Sequence, residues 1–471
     1  MILLYLMFLI IIIHFIYIFY KETKFKIIFT PILLFSGLMI FTYYTSIVSF
    51  DNISNNNLLP SFIIFIAYFS LNTGYKIFIK NNESTKKMTN QFKNKSYHDS
   101  VNYQKNYIYV IIPLALSLII IGSVLYQGLP PTISNFSSIF RNGINLSDAI
   151  GITESRRELT KGHYFGGEYT GQGLLRTVLR IGWSYTLCLT FIIFYRTKSK
   201  TIFRKETLLF IVVFILSFVY ITGDGTRGPF VELLIHLAIA FSFMGTIRFK
   251  HIILGVIVTF SLLIFLSINS MKMFNFLGND GFIISAINSI IERIVIGNSI
   301  NDIRAINYIN NGQLSFQFGR IHLVQLLNSI PGIQYDLPFS YTLGQLYGSG
   351  DTTYLSTTYV SIVYADFTIL GIIILYSFLG IFIGKLQRYI YNMKKNSLNL
   401  TLIFFIIFRL AYIQTTGIIG AIITIIVFIV IHNMAVLFFK TLIRLSNGIT
   451  ANENTLHKKE ILLVTNNNNL P

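Results

Sequence analysis

Arg227 lies in the run Gly223-Asp224-Gly225-Thr226-Arg227-Gly228-Pro229, where glycines permit an irregular backbone and the proline suits the first turn of a helix. A guanidinium beside a helix N-terminus attracts an anion. The competing reading of this position is a local pair with Asp224, three residues earlier, or a side chain that reaches lipid headgroups. Arg176 and Arg180 stand one helical turn apart on a face shared with Trp183. Like charges at that spacing repel unless something anionic, a ligand or a headgroup, lies between them. Arg409 falls inside the apolar run from Thr401 to Tyr412, where a charge costs roughly 2.5 kcal/mol or more and must face a partner or a wet cavity. Glu232 and, one turn later, His236 are titratable groups on another apolar stretch. Either serves as a proton acceptor or as an arginine's partner, and Asp366 is placed similarly further along. Arg320 and His322 sit together in a segment otherwise rich in apolar residues, with a solvated surface histidine as the plain alternative to a functional one.

The elements that must position these groups are apolar stretches of about 17 to 25 residues, each long enough to cross a hydrocarbon core of roughly 30 Å. The composition agrees: 53% hydrophobic and 12% charged, with 43 Phe and 28 Tyr that a soluble fold of 471 residues has no means of keeping off its surface. The expected fold class is an all-α polytopic membrane protein with about eleven transmembrane helices and a long, partly helical external loop over residues 271–359. The spans are expected near 1–20, 27–50, 60–79, 107–126, 174–195, 207–222, 229–247, 252–270, 360–384, 398–414 and 417–439. Residues 1–20 lack a basic leader and a small-residue cleavage site and read as a retained first span. The whole chain, 1–471, is one integral membrane domain, with a disordered cytoplasmic loop at 81–106 and a flexible cytoplasmic tail at 446–471.

Lysine and arginine set the orientation, because cationic loops are retained on the cytoplasmic side. Six alternate loops, from Lys21, Lys76, Arg196, Arg248, Lys385 and Lys440 onward, hold 25 of the 37 cations, which places the N-terminus outside and the C-terminus inside. Twelve cations remain on the outer side or within spans. Ten are arginine, whereas the cytoplasmic loops hold twenty lysines and five arginines. Topology needs only positive charge, so the change of residue calls for another reason, and a planar fork that grips phosphate or carboxylate supplies one.

The net charge of +18 follows from topology and from attraction to anionic headgroups, so nucleic acid is not an expected partner. A single cysteine, Cys188, excludes an internal disulfide framework or a cysteine metal site. No phosphate-cradling lysine loop, dinucleotide fingerprint or paired-histidine zinc motif occurs, and no metal or cofactor is expected. Within 271–359, Ile283, Ile287, Ile290, Ile291 and Ile294 recur at helical spacing, and a second helix is expected over about Ser315 to Ser329. Such helices suit a lid over a cavity that opens outward.

The layout of spans, the Gly-Asp-Gly-Thr-Arg-Gly-Pro turn and the long external loop together resemble the Wzy-type repeat-unit polymerases of bacterial surface polysaccharides. The exit of the loop is similar too: Leu327-Asn328-Ser329-Ile330-Pro331-Gly332, Leu337-Pro338-Phe339-Ser340, then Tyr364-Ala365-Asp366-Phe367 leading to Gly371, Gly380 and Gly384. The resemblance extends over most of residues 100–440. It departs at Gly332, where an arginine often follows the Ile-Pro pair, and at Thr368, where glycine is more usual. It implies a bacterial cytoplasmic-membrane enzyme that transfers a growing glycan from its undecaprenyl-pyrophosphate carrier to an incoming repeat unit on the outer face. The product is O-antigen, capsule or exopolysaccharide. Implied partners are the lipid-linked oligosaccharides and membrane lipids, with a flippase and a chain-length regulator. Under this resemblance Arg227, Arg320 and Arg409 bind pyrophosphate, with Arg176 and Arg180 as secondary contacts. The acceptor hydroxyl needs a base, for which His322, Glu232 and Asp224 are the candidates in that order. The alternatives are an O-antigen-type ligase and a lipid-linked oligosaccharide flippase.

Overall fold

The computed structural model describes residues 2–23, 29–48, 58–78, 107–131, 172–196, 205–223, 228–244, 299–330, 335–347, 355–392 and 396–467, with a few isolated positions between them. Among these residues there is no β-strand, only helices and their connections. The first seven helices are α1 (Ile2–Thr23), α2 (Pro31–Val48), α3 (Leu58–Phe78), α4 (Ile108–Leu125), α5 (Gln172–Arg196), α6 (Lys205–Ile221) and α7 (Gly228–Met244). Three short ones follow, α8 (Ser299–Asn310), α9 (Arg320–Asn328) and α10 (Phe339–Leu346), and then the long α11 (Tyr359–Asn392) and α12 (Ser397–Asn467). Seven segments are long and apolar enough to cross a membrane: α1, α3, α4, α5, α11 and the two halves of α12 on either side of Gly417. α2 and α7 supply shorter apolar helices. The expected eighth span, 252–270, is described only at 255, 257–259 and 261, and the loop 81–106 and the stripe of Ile283, Ile287, Ile290, Ile291 and Ile294 lie outside the described residues.

The long helices carry apolar residues all round, the pattern of helices with no aqueous face. How much of each is enclosed tells the centre from the rim. In α5 and the first half of α12, 72% and 83% of the spanning residues are buried, against 22% in α1 and in the second half of α12. The rim helices instead point Leu, Ile and Phe outward, among them Leu6, Ile13, Ile426 and Leu437, as lipid-facing surfaces do. Trp183 of α5 stacks on Tyr220 of α6 with ring centroids 5.7 Å apart, closing the centre.

α3 and α11 meet through glycine. A Cβ on Gly380 would fall 2.0 Å from the Leu71 carbonyl oxygen, and one on Gly74 2.0 Å from that of Ser377. The backbones therefore touch, and Gly384, four residues after Gly380, continues the small-residue ridge. Close approach of this kind drives helix association in lipid, where burial of apolar surface between helices gains little.

Two helices break without ending. In α11 Thr368 takes φ 64° and ψ −164°, and in α12 Gly417 takes φ 76° and ψ 167°. The expected spans 398–414 and 417–439 leave a break between them; the chain turns there through the single Gly417, and the helix resumes at once. The helix expected from Ser315 starts at Arg320, because Phe318 (φ 47°) and Gly319 (φ 91°) turn the chain first.

α8 anchors the start of α11. Asp302 Oδ1 accepts from the Thr358 backbone N–H and from the Ser361 hydroxyl, both at 2.7 Å. It thus caps the helix as an N-terminal acceptor. Asn301 Nδ2 donates to the Ser356 carbonyl at 2.9 Å. Asp302 is buried, and burial pushes its carboxyl up to about 6.

Candidate functional site

His322 enters the site through the first turn of α9, and the local geometry follows from Asp366. This aspartate, fully buried on α11, stands at the α9 N-terminus and takes its first free N–H groups. Oδ1 accepts from Ile321 N at 3.1 Å and Oδ2 from His322 N at 3.0 Å. A carboxylate here gains from both the unpaired donors and the positive helix end. The same Oδ2 accepts a short hydrogen bond from His322 Nδ1. With the proton on Nδ1 by assignment from these partners, Nε2 carries a lone pair, and the Tyr359 hydroxyl donates to it at 3.2 Å. Phe367 lies beside the ring, with centroids 5.4 Å apart. The His322 side chain is 16% exposed, enough to meet a substrate at its edge. A carboxylate that orients and supports an imidazole, leaving its second nitrogen free to take a proton, is the arrangement of a general base.

Both helix breaks border this point. Ahead of the Thr368 break, the Ala365 carbonyl accepts from Gln317 N at 2.9 Å. The Cα of Gly417 faces Gln325 of α9 and Tyr359 of α11. Irregular backbone within a membrane helix is tolerated where protein or a cavity surrounds it, and it accompanies binding sites.

A second cluster sits lower on α12. Arg409 Nη2 donates to Glu232 Oε2 at 2.8 Å, and Arg180 Nη2 to Glu232 Oε1 at 3.1 Å. The rings of Phe405, Phe408 and Tyr412 lie 5.3 to 5.4 Å from the Arg409 guanidinium. His236 Nδ1 donates to the Glu232 carbonyl at 2.8 Å while its ring stacks on Phe405. Arg409 precedes Gly417 by eight residues, about 12 Å along a helix axis, so α12 carries one cluster and borders the other.

Of the residues singled out from sequence, the structure brings Arg180, Arg409 and Glu232 into one cluster. Arg176 is one turn earlier on α5 and half-buried. Arg320 does not join it: its Nη2 donates to Asp336 Oδ2 at 2.5 Å, on a side chain 62% exposed. That bond holds the Asp336 carboxyl below the usual carboxylate range. Asp224 and Arg227 lie outside the described residues. Asp366 is a candidate from its sequence position, whereas Tyr359 and Asp336 are not. The one signal for Tyr359 was its position seven residues, two helical turns, before Asp366.

No family model, curated protein or solved structure matches this chain. Among the described residues no group of three or more His, Cys, Asp and Glu side chains could hold a metal ion. What the clusters offer is a proton acceptor on one side and paired guanidiniums on the other.

Proposed function

We propose that this protein polymerises oligosaccharide repeat units carried on undecaprenyl pyrophosphate, as Wzy-type polymerases do, at the outer face of a bacterial cytoplasmic membrane. In this reading eleven spans cross the bilayer, the N-terminus lies outside, and residues 271–359 stand on the outer side with α8, α9 and α10. The observation that carries it is the His322 ring, oriented by the buried Asp366 so that Nε2 is the basic nitrogen, with the Tyr359 hydroxyl on it.

The acceptor hydroxyl of the incoming unit takes the place of the Tyr359 hydroxyl at Nε2. Its oxygen attacks the anomeric carbon of the growing chain, its proton passes to His322, and the bond from that carbon to the pyrophosphate oxygen breaks with the electron pair going to the leaving group. Guanidiniums stabilise the charge that develops there, which is often the largest contribution to such a reaction. Arg180 and Arg409 support this role by their convergence, and Arg227 belongs with them by its sequence context. As a base Glu232 ranks below His322, since both of its oxygens already accept from arginine.

Surface polysaccharide from a deletion strain complemented with wild type, His322→Ala or Asp366→Asn tests this. The expected result is a ladder with wild type and a single repeat unit with His322→Ala. Asp366→Asn disturbs the tautomer and should reduce polymer by roughly 10² to 10⁴ while the protein still inserts. Long chains left on the carrier in the deletion strain would mean a ligase. Repeat units trapped on the cytoplasmic face would mean a flippase.

A further inference from the structure

Arg180 and Arg409 share one carboxylate, and neither uses its fork on it. Each donates from Nη2 alone, one to each oxygen of Glu232. A guanidinium suits two parallel bonds to a carboxylate or phosphate, so both are half-engaged. The Nε of Arg409 is buried with no hydrogen-bond partner, on a side chain only 7% exposed. Two cations against one anion leave the cluster with net positive charge between the two most enclosed segments of the bundle. His236, whose Nδ1 donates to a backbone carbonyl and whose ring lies against Phe405, supplies no anion. A buried charge without compensation is costly, and among the described residues the cluster lacks one more anion. Access is from the α5 side, where the Arg180 side chain is 30% exposed.

We propose that Glu232 is a resident counter-ion, which Arg180 and Arg409 exchange for a phosphate group. The inference rests on the proposed polymerase only for the source of that phosphate, a lipid pyrophosphate; the exchange itself needs only the geometry. A phosphate offers enough oxygens for both forks, including the idle Nε of Arg409. Glu232, when displaced, retains the Tyr412 hydroxyl as a partner. When the phosphate leaves, the carboxylate returns and closes the site. Glu232 therefore holds the site together when empty and weakens its grip on the ligand, which favours turnover over tight retention.

The test is the thermal stability of the purified full chain in phosphatidylcholine nanodiscs, titrated with inorganic pyrophosphate and, in a second series, with phosphatidic acid added to the bilayer. Wild type should be stabilised saturably, Glu232→Gln should bind at least tenfold more tightly, and Arg409→Lys, which keeps the charge and loses the fork, at least tenfold more weakly. Saturable stabilisation by phosphatidic acid alone supports the exchange and assigns the phosphate to a lipid headgroup. No stabilisation of wild type by either probe, or equal or weaker binding by Glu232→Gln, overturns it. If Glu232→Gln does not fold, Glu232→Asp should show a smaller tightening, and unchanged affinity there also overturns the proposal. The titration does not depend on the ladder: wild-type polymer from His322→Ala would remove His322 as the base, an intact ladder in the deletion strain would sink the polymerase, and either leaves the phosphate exchange to be decided here.

Discussion

At the residue scale the histidine and its aspartate were both visible in the sequence, but their pairing was not. His322 and Asp366 are 44 residues apart, and nothing in either segment requires that the first turn of α9 be laid against the first turns of α11. The arginines were more legible, since Arg409 in an apolar span must have a partner and Glu232 was a candidate. Asp302 was missed, because an acidic residue in a short polar helix looks like surface until the helix it caps is seen. Its burial makes a pH prediction. The folded state holds the proton to about pH 6, well above the 3.8 of a free aspartate. Between these values the folded protein binds more protons than the unfolded chain, so stability falls as pH rises from about 4 to 6 and is level beyond. Asp302→Asn should remove that slope, seen as the difference between the two proteins' Tm against pH. A parallel pair of curves would contradict it.

At the element scale, apolar length located the helices and could not locate their breaks. Gly417 stands at the break between the expected spans 398–414 and 417–439, and its positive φ lets one helix bend and continue. Thr368 is β-branched on a backbone that favours glycine, so its residue type gave no signal of a break. At φ 64° and ψ −164° a side chain is strained by about 1 to 3 kcal/mol. Next to it, a Cβ at Gly371 would meet the Phe367 Cβ at 2.1 Å, so the bend depends on that glycine. Thr368→Gly should relieve the strain at the cost of some chain entropy, a net gain on the order of 1 kcal/mol. A small rise in Tm in detergent is the expected outcome, and a fall would show that the threonine side chain holds the bend.

At the scale of the whole molecule, the helices form a bundle whose enclosed centre, α5 with the first half of α12, carries the arginines, and whose short helix α9 brings His322 against α11 and the bend of α12. The sidedness of that bundle rests on where lysine and arginine fall along the chain. Thiol labelling of intact cells checks it: Ser137→Cys, expected outside, should react with an impermeant maleimide, and Ser199→Cys, expected in the cytoplasm, only after the membrane is opened. The reverse pattern would invert the topology and put α9 on the wrong face for a carrier-linked glycan. Cys188 is what makes this simple. It is the chain's one cysteine and lies 3% exposed in α5, among the rings and aliphatic side chains of the centre. The native chain is therefore a silent background for thiol reporters: any probe, crosslink or spin label placed on the surface will report its own position, with no residue removed to make room for it.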